Sequence, residues 1–300
     1  MEKIIISKNI ETLRLDKVLA LHFKDYSREY LSNLIKNKEV LVNGKEVSPS
    51  YKVKENDEVS VNFKEKETNL DLKPYEIKLD IVYEDDDVLI INKPKGLVVH
   101  PGSGHQDDTL VNALIYNKIK LSTMNGVNRV GIVHRIDKDT SGLLLICKND
   151  FAHNEIAKQL KDHTMHREYI ALVDGNIEND FGKVIGPIGR DKNNRLKMCI
   201  DKINGKEAIT HFKVVNRYKK YTLIECQLET GRTHQIRVHM SSIGFPIVGD
   251  QIYGGSNYIY QNGQLLHAFK LSFIHPTKKE ELTFTIDLPD YFKEVLKNIE

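Results

Sequence analysis

The sequence is poor in cysteine, and no apolar run is long enough to cross a bilayer. Its three cysteines, Cys147, Cys199 and Cys226, lie far apart and form no Cys-x-x-Cys pair that would suggest zinc. Isolated thiols in strand-like segments are typical of a reducing compartment. The first residues contain no long apolar stretch of the kind found in signal peptides. We therefore expect a cytoplasmic protein without membrane spans.

The formal net charge is only +2, which by itself does not indicate a nucleic-acid partner. Positive charge is nevertheless concentrated between residues 182 and 220, where eleven lysines and arginines stand against three acids. Such a local excess suits a surface that follows nucleic-acid phosphates. Two solvated hairpins would explain the same pattern, and on charge alone that simpler interpretation is favoured.

Residues 1–65 predict a small separate domain with two helices, a hairpin and a further strand. Apolar residues at helical spacing follow Thr12 and Ser27, which are the expected N-caps. Asn43 and Gly44 stand between two apolar segments, which is the strongest short-range signal for a β-hairpin. Alternating apolar residues after the hairpin predict the further strand.

This order of elements, with the segments RLDKVL and VLVNGKEV, resembles the RNA-binding alpha-L domain first described in a small-subunit ribosomal protein. The resemblance implies that the second helix and the hairpin present basic residues to RNA. The matching basic residues are Arg14, Lys17, Arg28, Lys36, Lys38 and Lys45. A small interaction domain with a different partner is the alternative.

Residues 66–75 are charged and polar without periodicity, which predicts a linker to a second domain at residues 76–300. Strand patterns dominate the second domain, and short turns join several neighbouring strands. Helical patterns occur at residues 109–116, at 151–161 after the expected cap Asp150, and at 233–243. The expected fold class is α+β, with a largely antiparallel mixed sheet and flanking helices, preceded by the small α+β domain.

A short polar segment, HRIDKDTSG at residues 134–142, lies between apolar residues 131–133 and 143–147. Both apolar runs are predicted to be buried strands, so the segment would be held at the rim of a rigid sheet. It contains Asp137 close to Arg135, and a carboxylate ionised at neutral pH can act as a nucleophile or a base. An isolated Asp in a loop would more often be a turn residue, so the whole string is what indicates a site.

The same string resembles the active-site motif of the RluA family of pseudouridine synthases. The resemblance implies that Asp137 is the catalytic residue of an enzyme that isomerises uridine to pseudouridine in structured RNA. It also implies that Arg135 fills the gap left by a flipped-out base. We count His134 among the RNA-contacting residues, with support of the loop as an equal alternative. The isomerisation needs neither cofactor nor metal, and the sequence has no Gly-rich phosphate loop.

A second segment, REYIALVDG at residues 167–175, is similar to the strand of that family that bears a catalytic tyrosine. The resemblance implies that Tyr169 lies against the flipped base and handles the proton released from C5 of the uracil. A ring supplies the stacking surface and its hydroxyl the polar group. A tyrosine in the core of a strand is the alternative.

A third segment, GRTHQIRVHM at residues 231–240, predicts a helix capped by Thr233. Its spacing directs Ile236, Met240 and Ile243 to the core and His234, Arg237 and Ser241 to the other face. The resemblance assigns to Arg237 the pairing that keeps Asp137 ionised and in position, and to Arg232 a phosphate contact. Metal binding by His234 and His239 is disfavoured, because a spacing of five residues suits one metal poorly on a helix.

A less sharply matched segment, NKPKGLVVHP at residues 92–101, resembles the first motif of the family, in which Lys93 and Pro94 shape the floor of the cleft. We count Lys93 among the RNA-contacting residues. The matched segments follow the family order from about residue 81 to 289. We expect a monomeric enzyme that modifies large-subunit ribosomal RNA. The alternatives are a synthase that acts on transfer RNA and a non-catalytic RNA-binding factor in ribosome assembly.

Overall fold

The structure is a computed structural model of the 300-residue chain and describes residues 2–23, 28–63, 72–102, 104–124, 129–194 and 196–300. The chain divides into two compact units. The smaller unit consists of Met1–Leu72 and Ser122–Gly131, and the larger unit of Lys73–Leu121 and Ile132–Glu300. The expected cap Ser27, Arg195 of the basic stretch and most of the expected linker lie outside the described residues.

The described part of the smaller unit contains a four-stranded antiparallel sheet and two α-helices. Its elements are β1 (Glu2–Ile5), a 3-10 helix (Lys8–Ile10), α1 (Leu15–His22), α2 (Arg28–Lys36), β2 (Val40–Val42), β3 (Lys45–Glu46) and β4 (Glu58–Val61). The strands follow the order β1, β4, β2, β3. Asn43 and Gly44 join β2 to β3 with φ angles of 50° and 74°, as a type I′ turn requires. The predicted hairpin is confirmed.

Thr12 does not cap α1, contrary to the prediction. Its φ angle is 68°, and its N–H bonds to the carbonyl oxygen of Val53, so the helix begins only at Leu15. Arg14 takes the N-cap position without a capping bond from its side chain. Leu15 and Leu19 are fully buried, as the helical spacing predicted.

The larger unit is built on a nine-stranded sheet. The strands of this unit are β5 (Ile81–Glu84), β6 (Val88–Lys93), β7 (Ser141–Cys147), β8 (His166–Asp174), β9 (Phe181–Ile185), β10 (Ile188–Arg190), β11 (Met198–Ile200), β12 (Ile209–Arg217), β13 (Tyr221–Leu228), β14 (Leu266–Ile274) and β15 (Glu281–Thr285). The sheet order is β5, β6, β7, β14, β8, β13, β12, β9, with β15 paired to β14, while β10 and β11 form a separate hairpin. Strands β7 and β14 are parallel and the other neighbours antiparallel, which confirms the predicted fold class.

The described part of the larger unit also contains four helices. They are α3 (Leu110–Tyr116), α4 (Asp150–Lys161), α5 (Gln235–Ser242) and α6 (Asp290–Ile299). The N-cap of α4 is Asn149, whose side chain accepts the N–H of Ala152 at 2.8 Å, and not the expected Asp150. Across the described residues, no helix combines the length and the apolar character that a membrane span requires.

One hydrophobic core fixes the three elements that carry the motifs. Ile136 of the segment before β7, Tyr169 on β8, and Ile236 and Met240 on α5 belong to the same buried cluster. Ile243, which the spacing also directed to the core, is 39% exposed, because α5 ends at Ser242. The core therefore positions β8 against α5, and the polar residues that precede α5 lie beside both.

The apolar residues 131–133 do not form the strand that the sequence predicted. Strand β7 pairs with β6 along its length, but with β14 only at Ser141 and Gly142, which leaves much of one edge unpaired. Residues before β7 run along that edge and contact it at an isolated bridge between Ile132 and Ile146. The ring of His134 then accepts the N–H of Leu145, so a side chain replaces the backbone partner that a strand would supply.

Candidate active site

The larger unit contains a cleft of about 460 Å³, and three of the sequence motifs line it. The loop before β7 contributes Asp137, β8 contributes Tyr169, and the start of α5 contributes Arg237. These elements are far apart in the sequence and meet because β8 and α5 share one core. The proposed catalytic side chains are thus brought together in one cavity.

Asp137 and Arg237 form an ion pair at the floor of this cleft. The Asp137 Oδ2 atom lies 3.1 Å from Arg237 Nη1. Arg237 is buried, whereas the Asp137 side chain is partly accessible from the cleft. The arginine thus leaves a lone pair of the carboxylate free to react with a bound molecule.

Asp250 holds the other side of the Arg237 guanidinium. Its Oδ2 accepts from Arg237 Nε at 2.6 Å and its Oδ1 accepts from Nη2 at 2.9 Å, which is the planar two-bond geometry that arginine favours. Burial lowers the pKa of Arg237, but the bonds to Asp250 and the charge of Asp137 outweigh it and raise that pKa above its usual range. Arg237 is therefore a fixed cation whose third nitrogen, Nη1, faces Asp137.

His234 approaches Asp137 from the N-terminus of α5. It occupies the N-cap position with a φ angle of 56°, so the predicted cap Thr233 is wrong. The Tyr253 hydroxyl accepts the N–H of Met198 at 2.8 Å and forms a second hydrogen bond, also of 2.8 Å, with His234 Nδ1. The other ring nitrogen, Nε2, lies 3.8 Å from Asp137 Oδ1. Burial lowers the pKa of His234, so the ring is neutral near pH 7.

The predicted polar face of α5 is organised by Tyr253. Besides the bond to His234, the Tyr253 ring lies 5.0 Å from the guanidinium carbon of Arg237, and its carbonyl oxygen accepts from Ser241 Oγ at 2.8 Å. A cation over an aromatic ring is attracted by the ring quadrupole. Tyr253 thus restrains all three residues that the helical spacing placed on one face.

Tyr169 lies at the cleft as part of the buried surface of β8. Its neighbours across the sheet are Cys226 on β13 and Ala268 on β14. Burial raises the pKa of Tyr169, and Asp137 adds to this effect while Arg167 opposes it. The hydroxyl is therefore protonated near pH 7 and can both donate and accept a hydrogen bond.

His134 anchors the loop that carries Asp137. Its Nε2 accepts the N–H of Leu145 on β7 at 3.1 Å. Burial, assisted by the charge of Arg167, lowers the pKa of His134 to about 3, so the ring remains neutral. These contacts favour loop support, which was one of the two predicted roles.

Lys93 cannot contact RNA, contrary to the prediction, because its side chain is completely buried. Its ammonium donates to the carbonyl oxygens of Pro94, Leu97 and Lys138 at 2.7, 2.8 and 3.1 Å. Burial lowers the pKa of Lys93 to about 7, against the opposing charge of Asp137. Through the Lys138 carbonyl oxygen, Lys93 holds the chain immediately after Asp137.

The remaining predicted RNA contacts of the larger unit lie at the rim. Arg135 is exposed, with Nη1 3.4 Å from His100 Nε2. Arg232 is half-buried, and its Nε donates to the Glu207 carbonyl oxygen at 2.8 Å. Both side chains line the cleft. Both can therefore reach the RNA on either side of a nucleotide bound in the cleft.

The six predicted RNA-binding residues of the smaller unit are all exposed. Arg14 and Arg28 both donate to the buried carboxylate of Asp16, at 3.0 Å and 2.9 Å for their shortest bonds. Burial raises the pKa of Asp16, but the two arginines outweigh it and lower that pKa overall. Lys38 forms an exposed ion pair with Glu46 at 2.9 Å. Asp16 therefore orients two arginines side by side at the surface.

The pair His234 and His239 does not form a metal site in this arrangement. His239 is fully buried, and its two ring nitrogens lie 2.8 Å from Thr210 Oγ1 and 3.0 Å from the Gly186 carbonyl oxygen. His234 instead faces Asp137 and Tyr253. The two rings are used in different networks, in agreement with the interpretation from their spacing.

Three residues of the site were missed from the sequence: Arg167, Asp250 and Tyr253. Asp250 and Tyr253 stand in the loop after α5, where no periodic pattern or motif distinguishes them. Arg167 belongs to the REYIALVDG segment, and its position two residues before Tyr169 on a strand was the available signal, because such residues share one face.

Comparison with known proteins agrees with the geometry. Residues 87–242 match the RNA pseudouridylate synthase family, and residues 13–59 match the S4 domain. The chain is 49% identical over 296 residues to RNA pseudouridine synthase YlyB of Bacillus subtilis, covering 99% of this chain and 97% of that protein. It is 44% identical to ribosomal large subunit pseudouridine synthase D of Neisseria meningitidis serogroup A, covering 92% and 76%.

A solved structure shows the same relationship. Human RNA pseudouridylate synthase domain containing 1 superposes with a TM-score of 0.59 at 28% identity, covering 73% of this chain and 87% of that one. The family resemblance inferred from the motifs is confirmed, and with it the RNA pseudouridine synthase activity. The chain belongs to the RNA pseudouridylate synthase family, as a member of RluA type with an N-terminal S4 domain.

Proposed function

We propose that this synthase modifies uridines in large-subunit ribosomal RNA and that Asp137 is its nucleophile. The observation that carries the assignment is the position of Asp137: its carboxylate faces the cleft, and the clamped Arg237 holds it at 3.1 Å. A carboxylate fixed in this way keeps its orientation while it attacks, which lowers the entropic part of the barrier.

The reaction follows from these positions. One Asp137 oxygen forms a bond to C1′ of the ribose, the C1′–N1 bond breaks, and its electron pair leaves with the uracil. After the uracil turns, C5 forms a bond to C1′ and the Asp137 oxygen departs with its electron pair. The C5 proton is then lost and N1 gains a proton. We assign the transfer of the C5 proton to Tyr169, whose hydroxyl can both donate and accept a hydrogen bond.

The target nucleotide must leave its helix before this chemistry can occur, because the atoms concerned are covered in a base stack. Asp137 and Tyr169 lie inside the cleft, whereas Arg135 is exposed at its rim. We assign to Arg135 the filling of the gap in the RNA. Arg232 contacts a phosphate next to the flipped nucleotide, since its guanidinium is half-exposed beside the cleft.

Capture of structured RNA belongs to the smaller unit. Arg14 and Arg28 are oriented by Asp16, and Lys17, Lys36, Lys38 and Lys45 add exposed positive charge. Such charges bind phosphates and release counterions. We therefore assign RNA binding to residues 1–65, a linker to residues 66–75 and catalysis to residues 76–300.

The ribosomal substrate is proposed from the relatives named ribosomal large subunit pseudouridine synthase D. We propose further that the protein acts as a monomer in the cytoplasm. Transfer RNA is the alternative substrate. The non-catalytic alternative is disfavoured, because a protein that only bound RNA would have no use for Asp137, Tyr169 and Arg237 in one cleft.

Mapping pseudouridines in total RNA, from cells with and without this gene, tests the proposal. One or more large-subunit ribosomal positions should lose pseudouridine and regain it when the gene is restored. Loss confined to transfer RNA would contradict the ribosomal assignment. A gene copy that carries the exposed change Lys158→Met should restore the sites like the wild type and serves as the control.

A further inference from the structure

Arg167 is a buried arginine at the cleft, with no acidic partner in the part of the chain that the structure describes. Its side chain lines the cleft, yet the residue is only 6% exposed. Within the described ranges no carboxylate lies at ion-pair distance, and its buried Nε has no hydrogen-bond partner. Burying a cation without a partner is costly, so it persists in a fold when a ligand supplies the missing partner.

Arg167 lies beside Tyr169, where the base of a bound nucleotide is expected. Arg167 and Tyr169 are two residues apart on β8 and share its buried face. The charge of Arg167 acts on Tyr169 and on His134, so it lies among the residues that support Asp137 and the bound base. Gly231 allows this placement, since a Cβ atom there would lie 2.5 Å from Arg167 Nη1.

We propose that Arg167 binds a carbonyl oxygen of the target uracil and stabilises the negative charge of the base while it is detached from the ribose. This inference rests on the proposed function. Breaking the C1′–N1 bond leaves the electron pair on the uracil, where it is shared among N1, O2 and O4. A guanidinium donates to such an oxygen most strongly when that oxygen is charged.

An RNA phosphate is the less suitable ligand for this side chain. A phosphate stays in the RNA backbone outside the cleft, where the exposed Arg135 and the half-exposed Arg232 can bind it. Arg167 instead is buried on β8, the β-strand that carries Tyr169, and both residues line the cleft. Its effect should therefore appear in the chemical step and not in the binding of RNA.

The test compares Arg167→Met and Arg167→Lys with the wild type, using the full chain and a large-subunit ribosomal RNA transcript labelled with tritium at uridine C5. Tritium release reports the loss of the C5 hydrogen. For Arg167→Met we expect kcat to fall at least about 30-fold, with KM within about threefold of the wild type, because the interaction is made after binding. Arg167→Lys keeps the charge and should retain at least about ten times the kcat of Arg167→Met.

Thermal unfolding without RNA separates this role from a structural one. Because no described residue gives Arg167 an acidic partner, Arg167→Met should unfold at the same temperature as the wild type or above it. Lys158→Met removes an exposed cation from α4 and serves as the control, with kcat, KM and unfolding temperature unchanged.

The proposal is overturned if kcat of Arg167→Met stays within about threefold of the wild type, or if the change appears in KM alone. Equal activities of Arg167→Lys and Arg167→Met would also contradict it, because the charge would then contribute nothing. A marked fall in the unfolding temperature of Arg167→Met would show that the guanidinium stabilises the fold. If the wild type itself releases no tritium, the ribosomal substrate is wrong, which distinguishes failure of the proposed function from failure of this inference.

Discussion

The substitution Asp250→Asn should both destabilise the protein and slow its chemistry. Asp250 is almost completely buried and accepts two bonds from Arg237, at 2.6 and 2.9 Å. Asparagine has nearly the same shape, but its NH₂ group cannot accept a hydrogen bond. It can keep the weaker acceptor bonds to the backbone N–H groups of Ile252 and Tyr253, so the change isolates the pairing with Arg237.

The size of the effect follows from the burial of the pair. Removing one partner of a buried ion pair costs about 3–5 kcal/mol, because the other charge remains buried without compensation. Arg237 keeps Asp137 as a partner at 3.1 Å, so the lower end, about 3 kcal/mol, is expected. For a domain of this size that loss lowers the unfolding temperature by about 6–12 °C. A reoriented Arg237 also misplaces Asp137, so kcat should fall at least about tenfold.

Circular dichroism during heating and pseudouridine formation at saturating RNA measure the two effects. The matched control is Asp180→Asn, which breaks an exposed pair: the Asp180 side chain is 76% exposed and lies 2.7 Å from Arg217. That change should cost less than about 1 kcal/mol and leave kcat unaltered. A loss of stability no larger for Asp250→Asn than for Asp180→Asn would show that Asp250 does not stabilise Arg237, and an unchanged kcat would show that it does not position Asp137.

Three further outcomes are expected. Gly142→Ala should prevent stable folding, because Gly142 has a φ angle of 114° and an added Cβ would overlap the Ala268 backbone; a normal unfolding temperature would contradict this. The pKa of Lys93 is lowered from 10.5 to about 7, so the unfolded chain binds this proton more tightly than the folded protein does. The stability of the wild type relative to Lys93→Met should therefore rise between pH 7 and 10.5, and a constant difference in unfolding temperature would count against the low pKa. Arg14→Ala combined with Arg28→Ala should weaken RNA binding and reduce the slope of log K against log salt concentration by about 2, with kcat at saturating RNA unchanged. An unaltered slope would show that these arginines do not bind phosphates.

Local patterns predicted the parts of the fold that depend on local physics. The Asn43-Gly44 turn was predictable because few residues other than Asn and Gly adopt its left-handed angles. The buried strands around Tyr169 and Ile224 were predictable from apolar alternation. The pairing of Asp137 with Arg237 came from the family resemblance, since no pattern within the chain relates residues a hundred positions apart.

The sequence-based predictions were wrong where tertiary contacts outweighed the local conformational preferences of the residues. Thr233 is a good N-cap residue, but His234 takes that position because its ring is held between Tyr253 and Asp137. Residues 131–133 look like a strand, yet the ring of His134 supplies the acceptor that a backbone carbonyl would have given. Lysine is normally exposed, and only the three carbonyl oxygens around it explain why Lys93 is buried.

Pseudouridine formation by purified Asp137→Asn protein tests whether Asp137 is the nucleophile. The variant keeps the size of the side chain and removes the nucleophilic oxygen charge, while the proposed RNA-binding residues of both units are unchanged. We expect pseudouridine formation to be abolished at saturating RNA, with the affinity for the same transcript within about threefold of the wild type. Continued conversion of the target uridine by Asp137→Asn would contradict the assignment of Asp137 as the nucleophile.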